Sequence, residues 1–217
     1  MRSVIGIALL VFTARVEAWG GANRALTFDE AVQGVSVECP GWVLDNQTII
    51  DVLHWGFDGR IHTGQLVADA RIAPDLQMAF ALMFLIGFPL ESVIPVSEFG
   101  WDDFESMRVN NTSAFNYRYV PFTDRLSSHA YGLAIDINPM QNPYFTGQQV
   151  FPEGAVYDSS LRGTLHSRHP VVLLFKELGW RWGGDWPERD YQHFDRQLQR
   201  TALGNHVKHL SLPLFWR

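Results

Sequence analysis

The chain has 217 residues, 47% of them hydrophobic, with eight tryptophans and fifteen phenylalanines, which is enough for one domain with a substantial core. A formal net charge of -6, with seventeen basic residues scattered along the chain, argues against a nucleic-acid partner. The single cysteine, Cys39, rules out an intramolecular disulfide and a zinc site built on paired cysteines, and reads as a buried structural thiol.

In chain order, the opening "MRSVIGIALLVFTARVEAWGG" has one arginine, an apolar run from Val4 to Phe12 and small residues near Ala18, the pattern of a secretory signal peptide over residues 1–18. A short membrane anchor or a buried strand is the alternative. No later stretch has the roughly 18 apolar residues that a spanning helix needs. Residues 25–58 are punctuated by Gly, Pro and Asn, and their elements cannot be placed from the pattern. "APDLQMAFALMFLIGFP" reads as a buried helix: Pro74 at its start, Leu76, Phe80, Met83 and Phe84 on one stripe, and Gly87 with Pro89 at its end. "ESVIPVSEFG" reads as an edge strand broken by Pro95. From Gly100 to Arg125 the composition suggests a long polar loop tied down by Phe104, Phe115, Tyr117 and Tyr119.

Leu133 to Asn138 alternates, with Leu133, Ile135 and Ile137 on one face and Ala134, Asp136 and Asn138 on the other, which predicts a strand. "HPVVLLFKELGWRWGG" predicts a helix opening at Pro170 and stopping at Gly179, then a strand with Trp180 and Trp182 on one face. Strands and helices mix without a βαβ rhythm, so the class expected is α+β in a single domain.

Within "SSHAYGLAIDINP", Gly132 would let the chain turn tightly between His129 and the strand that carries Asp136, so both side chains could reach one point. A second pair, Asp190 and His193, lies in "GGDWPERDYQHFD". Two histidines and a carboxylate are a recurrent catalytic zinc set that leaves a fourth position for water, and a carboxylate outside the set can move the proton. Spacing alone is weak evidence for such a site.

The two segments together resemble the S-x-H-x-x-G-x-A-x-D and (E/D)-x-x-H motifs of the zinc D-alanyl-D-alanine carboxypeptidase family, which includes the D,D-dipeptidases of vancomycin resistance and phage L-alanyl-D-glutamate endolysins. "HTGQLV", "SMRVNNTSAFNYR" and "NPMQNPY" are similar to the endolysin-related branch, so the likeness runs from His62 to Phe194. The resemblance implies that His129, Asp136 and His193 bind Zn2+ and that Asp190 is the general base, where many members have Glu. It also implies an arginine holding the substrate carbonyl or carboxylate, with Arg118 first and Arg108 second. An antiparallel sheet with packed helices, as in these peptidases and hedgehog N-terminal domains, is the expected fold.

The organisation expected is then a signal peptide over 1–18, an N-terminal extension over 19–61 and a peptidase domain over 62–217. The expected function is hydrolysis of peptidoglycan stem peptides by an exported monomer, at the L-Ala-D-Glu or the D-Ala-D-Ala bond. A non-catalytic peptidoglycan-binding or signalling module on the same scaffold is the alternative, and Asp190 argues against it. His166 and His169 in "LHSRHP" read as helix-cap or loop residues, His62 as structural, and Trp182 as core; Trp186 and Tyr191 flank the site.

Overall fold

The computed structural model describes residues 25–198 except Phe122 and Gln148. The expected signal peptide over 1–18 lies outside the described residues. Among the described residues, no helix is long and apolar enough to cross a membrane.

The stretch that resisted reading holds two one-turn helices, α1 (Phe28–Ala31) and α2 (Gly41–Leu44), and one of the two nine-residue strands. Thr27 caps α1 in a reciprocal box with Glu30. Strand β1 (Gln47–Trp55) pairs antiparallel with β2 (Ile61–Asp69), His54 opposite His62 and Gln47 opposite Asp69. The turn between them carries Asp58-Gly59, a strong hairpin signal, and Gly56 N–H donates to Arg60 O at 2.7 Å. Burial along β2 runs from an exposed tip at Ile61 to a buried base at Leu66–Asp69, so the base of the hairpin is what joins the core.

Helix α3 (Ala73–Leu85) has Pro74 in its first turn and buries Leu76, Ala79, Phe80 and Met83, as the stripe predicted; Phe84 is half-buried and stacks on Trp55. Helix α5 (Pro170–Glu177) buries Val171, Val172 and Phe175. The two helices end the same way. Gly87 and Gly179 take positive φ (67° and 83°), and the residue after each folds back to donate to a carbonyl five positions earlier: Phe88 to Met83 and Trp180 to Phe175, both at 2.9 Å. Phe88 and Trp180 are buried, so each stop also seats an aromatic ring in the core.

The expected edge strand is the two-residue β3 (Ser92–Val93), followed by a 3-10 turn at Val96–Phe99, and it pairs in parallel with β4 (Asn111–Thr112). The expected long loop is therefore partly regular. Asp102 accepts from the backbone N–H of Phe104 and Glu105 and caps helix α4 (Asp103–Arg108), and β4 follows. The Asp-x-x-Glu spelling of Asp102 to Glu105 was a helix-start signal inside a polar stretch. Asn111 bonds to the Ile94 backbone at both amide ends and to Ser106 Oγ, which fixes α4 beside β3.

Strand β5 (Ala134–Asp136) pairs with β9 (His193–Asp195), which pairs with β8 (Arg181–Trp182), all antiparallel. A small hairpin, β6 (Tyr144–Thr146) with β7 (Gln149–Phe151), stands beside it. The molecule is thus α+β, but its strands form several small sheets and not one broad antiparallel sheet, because most strands are only two or three residues long. The main core joins α3 and α5 to Ile50, Leu66, Ile135, Ile137, Trp182 and Phe194. A second cluster around Val43, Val67 and Phe115 includes Cys39, which is half-buried and not fully buried as expected.

Candidate metal and catalytic site

His129 sits in a 3-10 turn (Ser128–Tyr131) whose first N–H groups are capped by Ser127, with Ser127 Oγ accepting from His129 N at 3.3 Å. Gly132 closes the turn at φ 66° and passes the chain into β5. A Cβ at Gly132 would overlap Gln47 Oε1 and come within 2.7 Å of Asp69 N, so the position needs glycine for room as well as for dihedral. Asp136 lies directly opposite His193 in the β5–β9 register. Two elements and one turn therefore bring three side chains together.

His129 Nε2 and His193 Nδ1 are 3.1 Å apart, His193 Nδ1 is 2.9 Å from Asp136 Oδ1, and His129 Nε2 is 3.1 Å from Asp136 Oδ2. All three residues are buried. The Ala114 carbonyl lies 2.5 Å from His129 Nδ1 and can only accept, so Nδ1 carries a proton, and Nε2 is the ring nitrogen that faces the cluster. Two ring nitrogens and a carboxylate this close need a shared positive centre, a proton or a metal ion. Ligand atoms around a tetrahedral zinc, each at about 2.0–2.1 Å, lie roughly 3.3 Å from one another, so the donor set fits that ion in kind and in spacing. Among the described residues this is the group of His, Cys, Asp and Glu side chains able to hold a metal.

The electrostatics agree with the geometry. Burial works to raise the Asp136 carboxyl, but the charge and hydrogen bonds of His129 and His193 hold it well below the usual carboxylate range. Burial works to lower His193, and Asp136 outweighs it, so His193 is raised.

Asp190 behaves in the opposite way. Its Oδ1 is buried with no hydrogen-bond partner, and its backbone is held by Gly183 and by a bridge to Tyr144 of β6. Burial pushes its carboxyl up to about 7; His193, Gln192 and Arg118 pull against that rise and the Asp136 charge adds to it. Part of the residue still faces the cleft.

His129, Asp136, Asp190, His193 and Arg118 all line one cleft of about 1330 Å³, with Trp186 beside His193 at 5.3 Å between ring centroids. Arg118 Nη2 is 2.8 Å from Asp103 Oδ2, and its Nε is buried without an acceptor. Arg108 does not line the cleft; its side chain is 64% exposed and pairs with Glu105 along α4. A second cavity, about 660 Å³ between Leu26, Asp51, Gln65 and Ile94, contains none of these residues.

The other histidines among the described residues stand apart from the cluster. His169 caps α5, its Nδ1 accepting from Val171 N at 3.3 Å, and burial with His166 beside it pushes it down to about 4. His166 Nδ1 accepts from Arg168 N, and His62 bonds the exposed Asp58. Trp182 is core, and Tyr191 stacks on Tyr157 at 3.7 Å. Sequence reasoning passed over Asp103 and Gln192. Asp103 was hidden because α4 was read as loop, and Gln192 because an amide between Tyr191 and His193 carries no motif.

Residues 122–196 match the family model described as D-alanyl-D-alanine carboxypeptidase, which supports the resemblance carried by the two motifs and a peptidase chemistry. The matched stretch is about a third of the chain and holds His129, Asp136, Asp190 and His193. Arg118 lies just before it. No curated protein and no solved structure matches the chain.

Proposed function

We propose that the protein is a zinc-dependent metallopeptidase that cuts peptide bonds in peptidoglycan stem peptides. The observation that carries this reading is the buried His129–Asp136–His193 cluster beside Asp190, whose carboxylate Oδ1 has no hydrogen-bond partner, inside the segment that matches the peptidase family. The three clustered residues would hold the zinc. When bound, zinc supplies Lewis-acid activation of the scissile carbonyl and of a water nucleophile.

The chain's own residues account for the rest. The Asp190 carboxylate takes a proton from the attacking water and later gives it to the leaving amine, a role suited to a carboxyl whose burial makes it a stronger base than an exposed one. The Arg118 guanidinium faces the same cleft and stabilises negative charge developing on the carbonyl oxygen, an effect strengthened where water is excluded. Trp186 shields one side of His193. The fold shared by these peptidases and hedgehog N-terminal domains belongs to the same reading, as do action as a monomer and export through residues 1–18. Asp190 in place of the Glu of many family members inclines the substrate toward the L-Ala-D-Glu bond.

The test is mass spectrometry of defined stem peptides after incubation with zinc-loaded protein, with Asp190→Asn alongside. Loss of terminal D-Ala identifies a carboxypeptidase, and separation of L-Ala from D-Glu an endopeptidase. Intact peptides from a protein that holds zinc through the three residues would sink the reading in favour of a binding module.

A further inference from the structure

Two carboxylates, Asp103 and Asp190, and the Arg118 guanidinium line the same cleft. Arg118 Nη2 is 2.8 Å from Asp103 Oδ2, Nη1 lies 3.4 Å from Tyr119 O, and Nε is buried with no acceptor. Asp190 Oδ1 is buried with no donor, although the charge of Arg118 reaches Asp190. A buried N–H and a buried carboxylate oxygen in one cleft attract strongly when water is scarce. The two are unpaired, and the carboxylate that Arg118 does pair with is Asp103, which would act as a restraint.

Asp103 is placed to be that restraint. It is the first residue of α4, and its side chain is 13% exposed against 21% for Arg118. Its second oxygen, Oδ1, accepts from Asn116 Nδ2 at 3.3 Å, so the carboxylate is anchored on the side away from the arginine. Asn116 is itself tied to the metal cluster, donating its backbone N–H to His129 O at 3.1 Å, and Ser127 N–H donates to Arg118 O at 3.0 Å. The anchor and the arginine are thus both set relative to His129.

We propose that Asp103 is a positioning residue that holds the Arg118 guanidinium off Asp190, leaving the guanidinium for a substrate carbonyl and the Asp190 carboxylate for a proton. The catalytic consequence rests on the peptidase reading above, whereas the restraint is a statement about side-chain positions. Removing the Asp103 charge lets Arg118 swing onto Asp190, which occupies both groups at once.

The test uses Asp103→Asn and Asp103→Ala in the full, metal-loaded protein; Asp102 still caps α4 in both. Crystal structures of the variants are expected to place the guanidinium within hydrogen-bond distance of the Asp190 carboxylate, and an unmoved guanidinium overturns the proposal. On a stem peptide that the wild type cleaves, kcat is expected to fall about tenfold or more with a smaller change in KM, and Asp103→Glu to recover part of it. In an Arg118→Met background Asp103→Asn is expected to cost less than about twofold further, because the arginine it acts through is gone. An equal loss in both backgrounds would mean that Asp103 acts through α4 alone, and the proposal would be wrong. A wild type that cleaves no stem peptide refutes the peptidase reading, and the crystal structures still decide the restraint.

Discussion

Asp136 and Asp190 are the same residue type in one cleft, and their surroundings drive them apart. Asp136 is held ionised by two histidines, whereas Asp190 is raised to about 7 by burial with no bonded donor at Oδ1. Asp190→Asn, nearly isosteric, is therefore expected to lower kcat/KM by about 10²–10⁴-fold while leaving metal content unchanged, measured by steady-state kinetics and elemental analysis. In the metal-free protein the sign of the stability effect follows from the raised pKa. The folded state holds the Asp190 proton between its ordinary 3.8 and about 7, while the unfolded state has lost it, so unfolding free energy falls as pH rises through that window. His193, also raised, contributes stability that is present below its ordinary 6.5 and is lost as pH rises through its folded value, and it does so in both proteins. Denaturant melts from pH 4 to 8 are thus expected to show a shallower decline for Asp190→Asn than for wild type, and equal slopes would refute the assignment. His193→Ala removes one of the three clustered donors and leaves Asp136 with a single histidine. It is expected to weaken zinc affinity by at least about a hundredfold, read by competition with a chromophoric chelator.

At the scale of elements, helices with a stripe and a stop were legible in the sequence. Pro74 with Gly87, and Pro170 with Gly179, bracket α3 and α5 because the proline start and the positive-φ glycine are local devices. What the pattern concealed was held by non-local bonds. The β1–β2 hairpin has the longest pairing, yet an exposed Leu53 and a buried His54 break the alternation set by Ile50, Asp51 and Val52, and only Asp58-Gly59 advertised the turn. The loops after β5 are ordered by buried asparagines that no periodicity reports. Asn142 donates to Ile137 O, Asn138 O and Gly163 O and accepts from Leu165 N at 2.7 Å, tying the end of the Asp136 strand to the approach to α5. Asn142→Ala would strand several buried backbone groups at once, so it is expected to destabilise the fold by about 2–4 kcal/mol, visible as a lower denaturation midpoint with an unchanged m-value.

Across the whole molecule, the two motifs named the cluster residues, but they did not show that the N-terminal hairpin supports the cluster. That support converges on Gly132. Gln47, at the start of β1, donates through Nε2 to Tyr131 O at 3.1 Å and to Val43 O at 2.9 Å, and Asp69 N–H, at the end of β2, donates to Gly132 O at 3.0 Å. The base of the hairpin therefore closes on the one turn that separates His129 from Asp136, while Phe115 N–H bonds Val67 O and brings the neighbouring Ala114 carbonyl to His129 Nδ1. The sequence motif reads as a local instruction, S-x-H-x-x-G-x-A-x-D, yet its glycine is required by residues more than sixty positions away. Gly132→Ala places a methyl group against Gln47 and Asp69 in a backbone conformation that costs an L residue about 1–2 kcal/mol, so the turn must shift and carry His129 with it. Gly59→Ala meets a similar dihedral at φ 76° in the hairpin turn, with nothing close to its Cβ and no ligand nearby. Both variants are expected to lose stability in chemical denaturation, but only Gly132→Ala should also lose zinc affinity. If the two lowered zinc affinity equally, the hairpin base would not be what holds the cluster in register.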